Sequence, residues 1–270
     1  MERSKVKNIV LLILLITNLF LLVFMVRQEW RVHRAEELAR ESALGFLADR
    51  GVQVEPSAIP HRMDLRPQIV ERDREGESKA AQALLKGTVV MEPRGGEVYR
   101  YYNENGTVQF HSDGTFSAEL TPGAYPLAED RDSAVLALLK TLSFEGEEMA
   151  WPQDGVTVRQ NWQGAPLFSQ RVTVQWTDGA VTALSGRRLM GQPEEDPGRS
   201  TLTVASALIH FFNGLNGLGD VCSRVDGITQ GYVSAVSLNA PGVLTPVWWI
   251  TTDTGAYQLD LVTGELTRLG

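Results

Sequence analysis

The feature that most constrains this chain is a run of 18 residues, Ile9 to Val26, without a single charge and interrupted only by Thr17 and Asn18. As a helix it would be about 27 Å long at 1.5 Å per residue, which nearly matches the hydrocarbon thickness of a bilayer. A cleaved secretory signal has a shorter apolar core and ends in small residues. Here the run leads straight into Arg27-Gln28-Glu29-Trp30-Arg31 with no Ala-x-Ala. The reading is an uncleaved membrane anchor over 9–26, preceded by a short tail over 1–8. Arg27 and Trp30 would sit at the interface, where long cationic stems and aromatic rings are stable. Flanking charge does not orient it, because Arg3, Lys5 and Lys7 precede the run while Arg27, Arg31, Arg34 and Arg40 follow it.

Beyond the anchor, Val32, Ala35, Ala39, Ala43 and Phe46 recur at steps of three and four among charged residues. This spacing predicts a stalk helix over 27–50 that stops at Asp49-Arg50-Gly51. Pro56, Pro60 and Pro67 then predict edge strands and turns, since proline lacks the donor that a central strand needs.

The remaining chain repeats one grammar. A short helix over 77–86 precedes four β-prone pieces separated by Gly95-Gly96, Asn105-Gly106 and Asp113-Gly114, dipeptides suited to tight turns. A helix over 132–142, with Ala134, Leu138 and Leu142 on one face, precedes strands at 156–162, 167–176 and 181–184. A helix over 203–213, with Val204, Ala207, Leu208 and Phe211 on one face, precedes strands at 232–238, 247–252 and 257–261. The fold class expected is α+β: an N-terminal transmembrane helix followed by two related subdomains, each an antiparallel sheet with a helix on one side. The first would span 51–190 with an N-terminal extension and the second 199–270, with a seam in the polar stretch 191–198. Whether residues 31–130 form a third unit stays open.

Composition narrows the chemistry. The formal charge is −8, and the bulk after the stalk is more acidic still, which argues against nucleic acid as a partner. Cys222 is the only cysteine, so neither an internal disulfide nor a paired-cysteine zinc site can form. His33, His61, His111 and His210 are scattered, and there is no Gly-x-Ser-x-Gly elbow. No catalytic residue, no metal ligand and no cofactor is therefore expected. Trp248 and Trp249 are adjacent in a predicted strand and so point to opposite faces of the sheet. Packing between two layers explains both; a contact surface is the alternative. In the anchor, Thr17 and Asn18 are candidates for hydrogen bonds to partner helices, with Val32, Ala35, Ala39 and Ala43 extending that contact along the stalk.

Together, Lys5-Val6-Lys7-Asn8-Ile9, Thr17-Asn18-Leu19-Phe20-Leu21-Leu22, Tyr102-Asn103-x-Asn105-Gly106 and Pro246-Val247-Trp248-Trp249 to Thr263-Gly264 resemble the YycH/YycI regulatory proteins, and the YycI (WalI) branch in particular. The resemblance implies a single-pass protein of the Gram-positive cell membrane with a cytoplasmic N-terminus and an extracytoplasmic bulk. It also implies a non-enzymatic role in a two-component system, with a WalK/YycG sensor histidine kinase and a YycH-like sister protein as partners. The Arg-rich, Lys-poor composition departs from that family. The alternative is a PepSY-like propeptide or protease-inhibitory module anchored to the membrane, which the ending Tyr257-Gln258-Leu259-Asp260-x-x-Thr263-Gly264-Glu265 also resembles. With no metal-ligand spacing present, EDTA is expected to leave the melting temperature of residues 41–270 unchanged to within a few degrees.

Overall fold

In a computed structural model of the chain, the described residues are 2–127, 131–150, 154–237 and 240–269. They form a mixed α+β fold with four α-helices, one short 3-10 turn and fifteen strands. Helix α1 runs unbroken over Glu2–Asp49 and so joins the apolar run and the stalk into one rod. It ends where Gly51 takes the left-handed conformation at φ 83° and Val52 N–H donates to the Leu47 carbonyl, a geometry that glycine adopts without strain.

Three times the chain makes a helix and then a four-stranded antiparallel meander. The first unit is α2 (Arg74–Leu84) with β3 (Val90–Gly95), β4 (Val98–Asn103), β5 (Gly106–Phe110) and β6 (Thr115–Leu120). Asp73 caps α2 by accepting from Gly76 N–H at 2.7 Å. The second unit is α3 (Arg131–Thr141) with β7 (Gly146–Ala150), β8 (Gly155–Trp162), β9 (Ala165–Thr177) and β10 (Ala180–Arg187). The third is α4 (Val204–Leu218) with β12 (Arg224–Ser237), β13 (Ala240–Thr252), β14 (Gly255–Asp260) and β15 (Leu266–Leu269). Thr203 accepts from Ser206 N–H at the start of α4, and Gly219 closes its end at φ 72°.

The first two meanders fuse edge to edge, with Leu184 opposite Ala118, into one sheet ordered β3-β4-β5-β6-β10-β9-β8-β7. Residues 51–190 thus hold two helix-and-meander units that share one sheet and one core. The extension also differs from its expected placement. Strand β1 (Gln53–Val54) pairs with β12 and β2 (Gln68–Val70) pairs with β13, so both belong to the third unit's sheet. The polar seam is not all linker, because Pro193–Glu195 forms β11 on the open edge of β2.

Each sheet buries one face. Val172, Val174 and Trp176 alternate along β9 into a core shared with Phe110, Phe116 and Val158, under Ala81 and Leu84 of α2, Leu139 of α3 and Leu142 after it. The buried positions of α3 are Val135 and Leu139, with Leu142 just beyond its end, rather than Ala134 and Leu138. The helix is rotated by about one residue from the predicted face. In the third unit, Val204, Ala207, Leu208 and Phe211 of α4 are buried on Trp248, Ile250, Tyr257 and Leu259, and Leu47 of α1 joins them.

The two sheets meet where β9 and β12 run side by side and pair as parallel strands at Leu167 and Tyr232 alone. Side chains complete this junction. Ser234 N–H donates to Ser169 Oγ at 2.8 Å, Gln170 Nε2 donates to Ser234 Oγ, and Tyr232 O–H donates to the Arg66 carbonyl at 3.1 Å. A Cβ on Gly231 would stand 2.4 Å from the Pro166 carbonyl oxygen and 2.5 Å from the Phe168 ring, whereas one on Gly227 of the same strand would meet nothing within 4 Å. Gly231→Ala is expected to lower the unfolding free energy by about 1–3 kcal/mol through overpacking. Gly227→Ala should leave it within about 0.5 kcal/mol of wild type in urea titrations.

Candidate functional site

The most unusual surface of the molecule lies on α1. Thirteen large apolar side chains between Leu11 and Met25 are 47–67% exposed. Isolated exposed apolar residues are ordinary, but a continuous run of this extent marks a surface that another apolar phase or chain covers. Among the described residues no helix is long and apolar enough to cross a membrane. The side chains of Ile9, Val10 and Val26 lie outside the described set, and the stretch from Leu11 to Met25 alone is shorter than the roughly 20 residues a span requires. The described residues therefore do not support the membrane span expected over 9–26.

Within this stretch Thr17 Oγ1 donates to the Ile13 carbonyl at 2.9 Å. The hydroxyl is satisfied by its own helix and is not poised for a neighbour. Asn18 is exposed and has no hydrogen-bond partner among the described residues. Of the polar pair, Asn18 is the one with unused donors and acceptors.

Further along, α1 docks against α4. Ala43 and Leu47 are buried in the third unit's core, Phe46 meets Phe212 edge to face at 5.5 Å, and the Arg50 guanidinium lies over the Phe46 ring at 4.8 Å. The predicted stalk face thus divides. Ala43 is covered by this chain's own α4 and is closed to a partner, and the side chain of Val32 lies outside the described residues. Ala35 and Ala39 remain exposed and line an open groove beside the start of α4. This groove has a cavity of about 680 Å³ bordered also by Met63 and Ala205, and a second of about 490 Å³ reaching Ile209. Met63, Ala205 and Ile209 were not among the sequence candidates. The signal available for the last two was their four-residue spacing on the face of α4 opposite to Phe211.

The tryptophan pair separates as neighbours in a strand must. Trp248 is fully buried under α4, which leaves it no surface for a partner. Trp249 points the other way and stacks on Phe168 at 4.8 Å, with the rings inclined by 29°. Phe168 also carries the Arg159 guanidinium at 5.4 Å. Phe168 is buried while Trp249 and Arg159 are half-buried, on the face of the sheet opposite to Trp248.

Among the described residues no group of three or more His, Cys, Asp or Glu side chains could hold a metal ion. Cys222 is buried, and burial together with the Asp253 carboxylate pushes its thiol up to about 11. A thiol held protonated in this way is a poor nucleophile at neutral pH.

No protein-family model matches the chain, and no curated protein does. The YycH/YycI resemblance has no sequence-family support and rests on the residues quoted above. Among solved structures, the chain is similar to an uncharacterized protein from Eubacterium rectale at 13% identity and a TM-score of 0.43, over 81% of this chain and 90% of that one. It is also similar to the YpeB C-terminal domain of Bacillus megaterium at 16% identity and a TM-score of 0.35, over 74% of this chain and 99% of that domain. Both likenesses are too distant to carry a functional argument. The buried thiol does generate an expectation: Ellman's reagent at pH 8 should leave native Cys222 largely unmodified and label it fully once the chain is unfolded in guanidinium.

Proposed function

We propose that this chain is a non-enzymatic, membrane-anchored interaction protein that regulates a two-component sensor histidine kinase. The observation that carries this reading is the exposed apolar stretch Leu11–Met25 on a helix whose other end is docked in a folded α+β body. A bilayer satisfies such a surface, with Ile9, Val10 and Val26 completing the length needed to cross it. In hydrocarbon the Asn18 amide then seeks partners on neighbouring helices, each hydrogen bond worth about 0.5–2 kcal/mol. Partner transmembrane helices of a kinase of WalK/YycG type, or of a YycH-like sister protein, would supply them. The α1–α4 groove lined by Ala35 and Ala39 would extend the contact beyond the membrane surface. In this arrangement residues 1–8 are cytoplasmic and the body is extracytoplasmic.

A second reading, a PepSY-like propeptide or protease-inhibitory module, is favoured by the third unit, in which one helix covers a compact antiparallel meander that closes the chain. Crosslinking followed by purification from membranes separates the two. Recovery of a histidine kinase supports the regulator, and recovery of a protease supports the inhibitor. With wild type and Asn18→Leu compared side by side, the substitution is expected to reduce kinase crosslinking about threefold or more, in line with the loss of roughly 1 kcal/mol. The fold of the body should stay unchanged by circular dichroism. Equal crosslinking of the two proteins would move the contact off the membrane helix.

A further inference from the structure

Arg188, the residue after β10, is 4% exposed, yet no carboxylate lies within salt-bridge distance of it among the described residues. Its Nη1 donates to the Leu142 carbonyl and approaches Met190 Sδ at 3.7 Å. The guanidinium lies over the Phe110 ring at 4.5 Å and near the Phe116 ring at 5.8 Å. No partner among the described residues takes its Nε or Nη2 hydrogens.

These hydrogens border a cavity of about 50 Å³ at the junction of the two sheets, walled by Val70, Phe110, Leu189 and Gly242. The charged or titratable side chains on its wall are Arg188, Arg72, Glu77 and His111. Both Glu77 oxygens are taken by Arg72, at 2.8 and 2.9 Å. His111 Nε2 lies 2.9 Å from Gln109 Nε2 and is engaged there in a hydrogen bond whose direction depends on the tautomer. Asp73 lies off the wall and is engaged as the cap of α2, while Glu97 is shared by Arg72 and Arg74 on the outer side. Besides His111, the wall holds two guanidinium cations against one carboxylate.

A buried cation without a counter-charge is a heavy penalty, and aromatic faces offset only part of it. Burial pulls the Arg188 guanidinium down to about 10, with Glu77 and, more weakly, Asp73 acting in the opposite direction and the Arg72 cation adding to the fall. It still carries its charge at neutral pH. A cavity of this size accepts a small ion or a few waters. We propose that the cavity beside Arg188 binds one small monovalent anion, a halide or a formate-sized carboxylate, which neutralises the guanidinium and ties β10 to the β2–β13 edge.

The test uses the full chain in detergent at constant ionic strength, with chloride, bromide or formate replacing gluconate in separate titrations. Binding is expected to raise the melting temperature by about 2–4 °C at saturation. The ion that gives the larger rise identifies the source, and no rise with any of the three overturns the proposal. Arg188→Met, which keeps a long side chain over Phe110, should abolish the anion dependence. Should that variant not fold, crystals of the wild type grown in bromide decide the matter. An anomalous peak within hydrogen-bond reach of Arg188 supports the site, and a cavity filled by water alone refutes it.

Discussion

The pairing of Leu167 with Tyr232 is the contact on which the architecture depends, because it is the one place where the backbones of the two sheets meet among the described residues. A single parallel pair is weak by itself. Its strength comes from what surrounds it: the absence of a side chain at Gly231, which lets the strands approach, and the hydroxyl and amide groups of Ser169, Gln170 and Ser234, which replace missing ladder bonds. Around it Val70, Leu189 and Leu244 form a small apolar cluster separate from the two main cores. The relative placement of the sheets is thus set by a few groups whose geometry tolerates little change in volume.

A second constraint explains the number of helices. An antiparallel meander solvated on one face must bury the other, and each meander here is followed along the chain by a helix or preceded by one that supplies the cover. α2 and α3 share the large fused sheet, whereas α4 has the smaller one, and the C-terminal end of α1 adds Ala43 and Leu47 to that layer. The helix carrying the exposed apolar run is therefore also part of a core.

Much of this was legible from turn chemistry and periodicity. Gly95-Gly96 marks the β3–β4 hairpin because both residues take positive φ, and Val204, Ala207, Leu208 and Phe211 mark the buried face of α4 because they recur at helical spacing. What escaped was structure fixed by distant partners. β1, β2 and β11 are two or three residues long and exist only because strands far along the chain offer them edges. β12 and β13 begin well before their apolar alternation, in stretches containing Gly227 and Pro241-Gly242 that local propensity assigns to loops. The burial of Arg188 has no local signal, since the Phe110 and Phe116 rings that cover it come from a hairpin some seventy residues earlier.

The continuity of α1 has a mechanical consequence. Forty-eight residues of unbroken helix make a rod about 72 Å long, and it is seated in the body only through its last few turns. A rod held at one end is a lever. A tilt of about 5° at the Ala43–Leu47 seat would sweep the Thr17–Asn18 level sideways by roughly 3–4 Å, close to the width of a side chain. Rotation about the axis would pass along it undiminished, because no proline or π-bulge interrupts the hydrogen-bond ladder to absorb the twist. Whatever grips the far end of this helix is in effect holding a handle on the packing between α1 and α4.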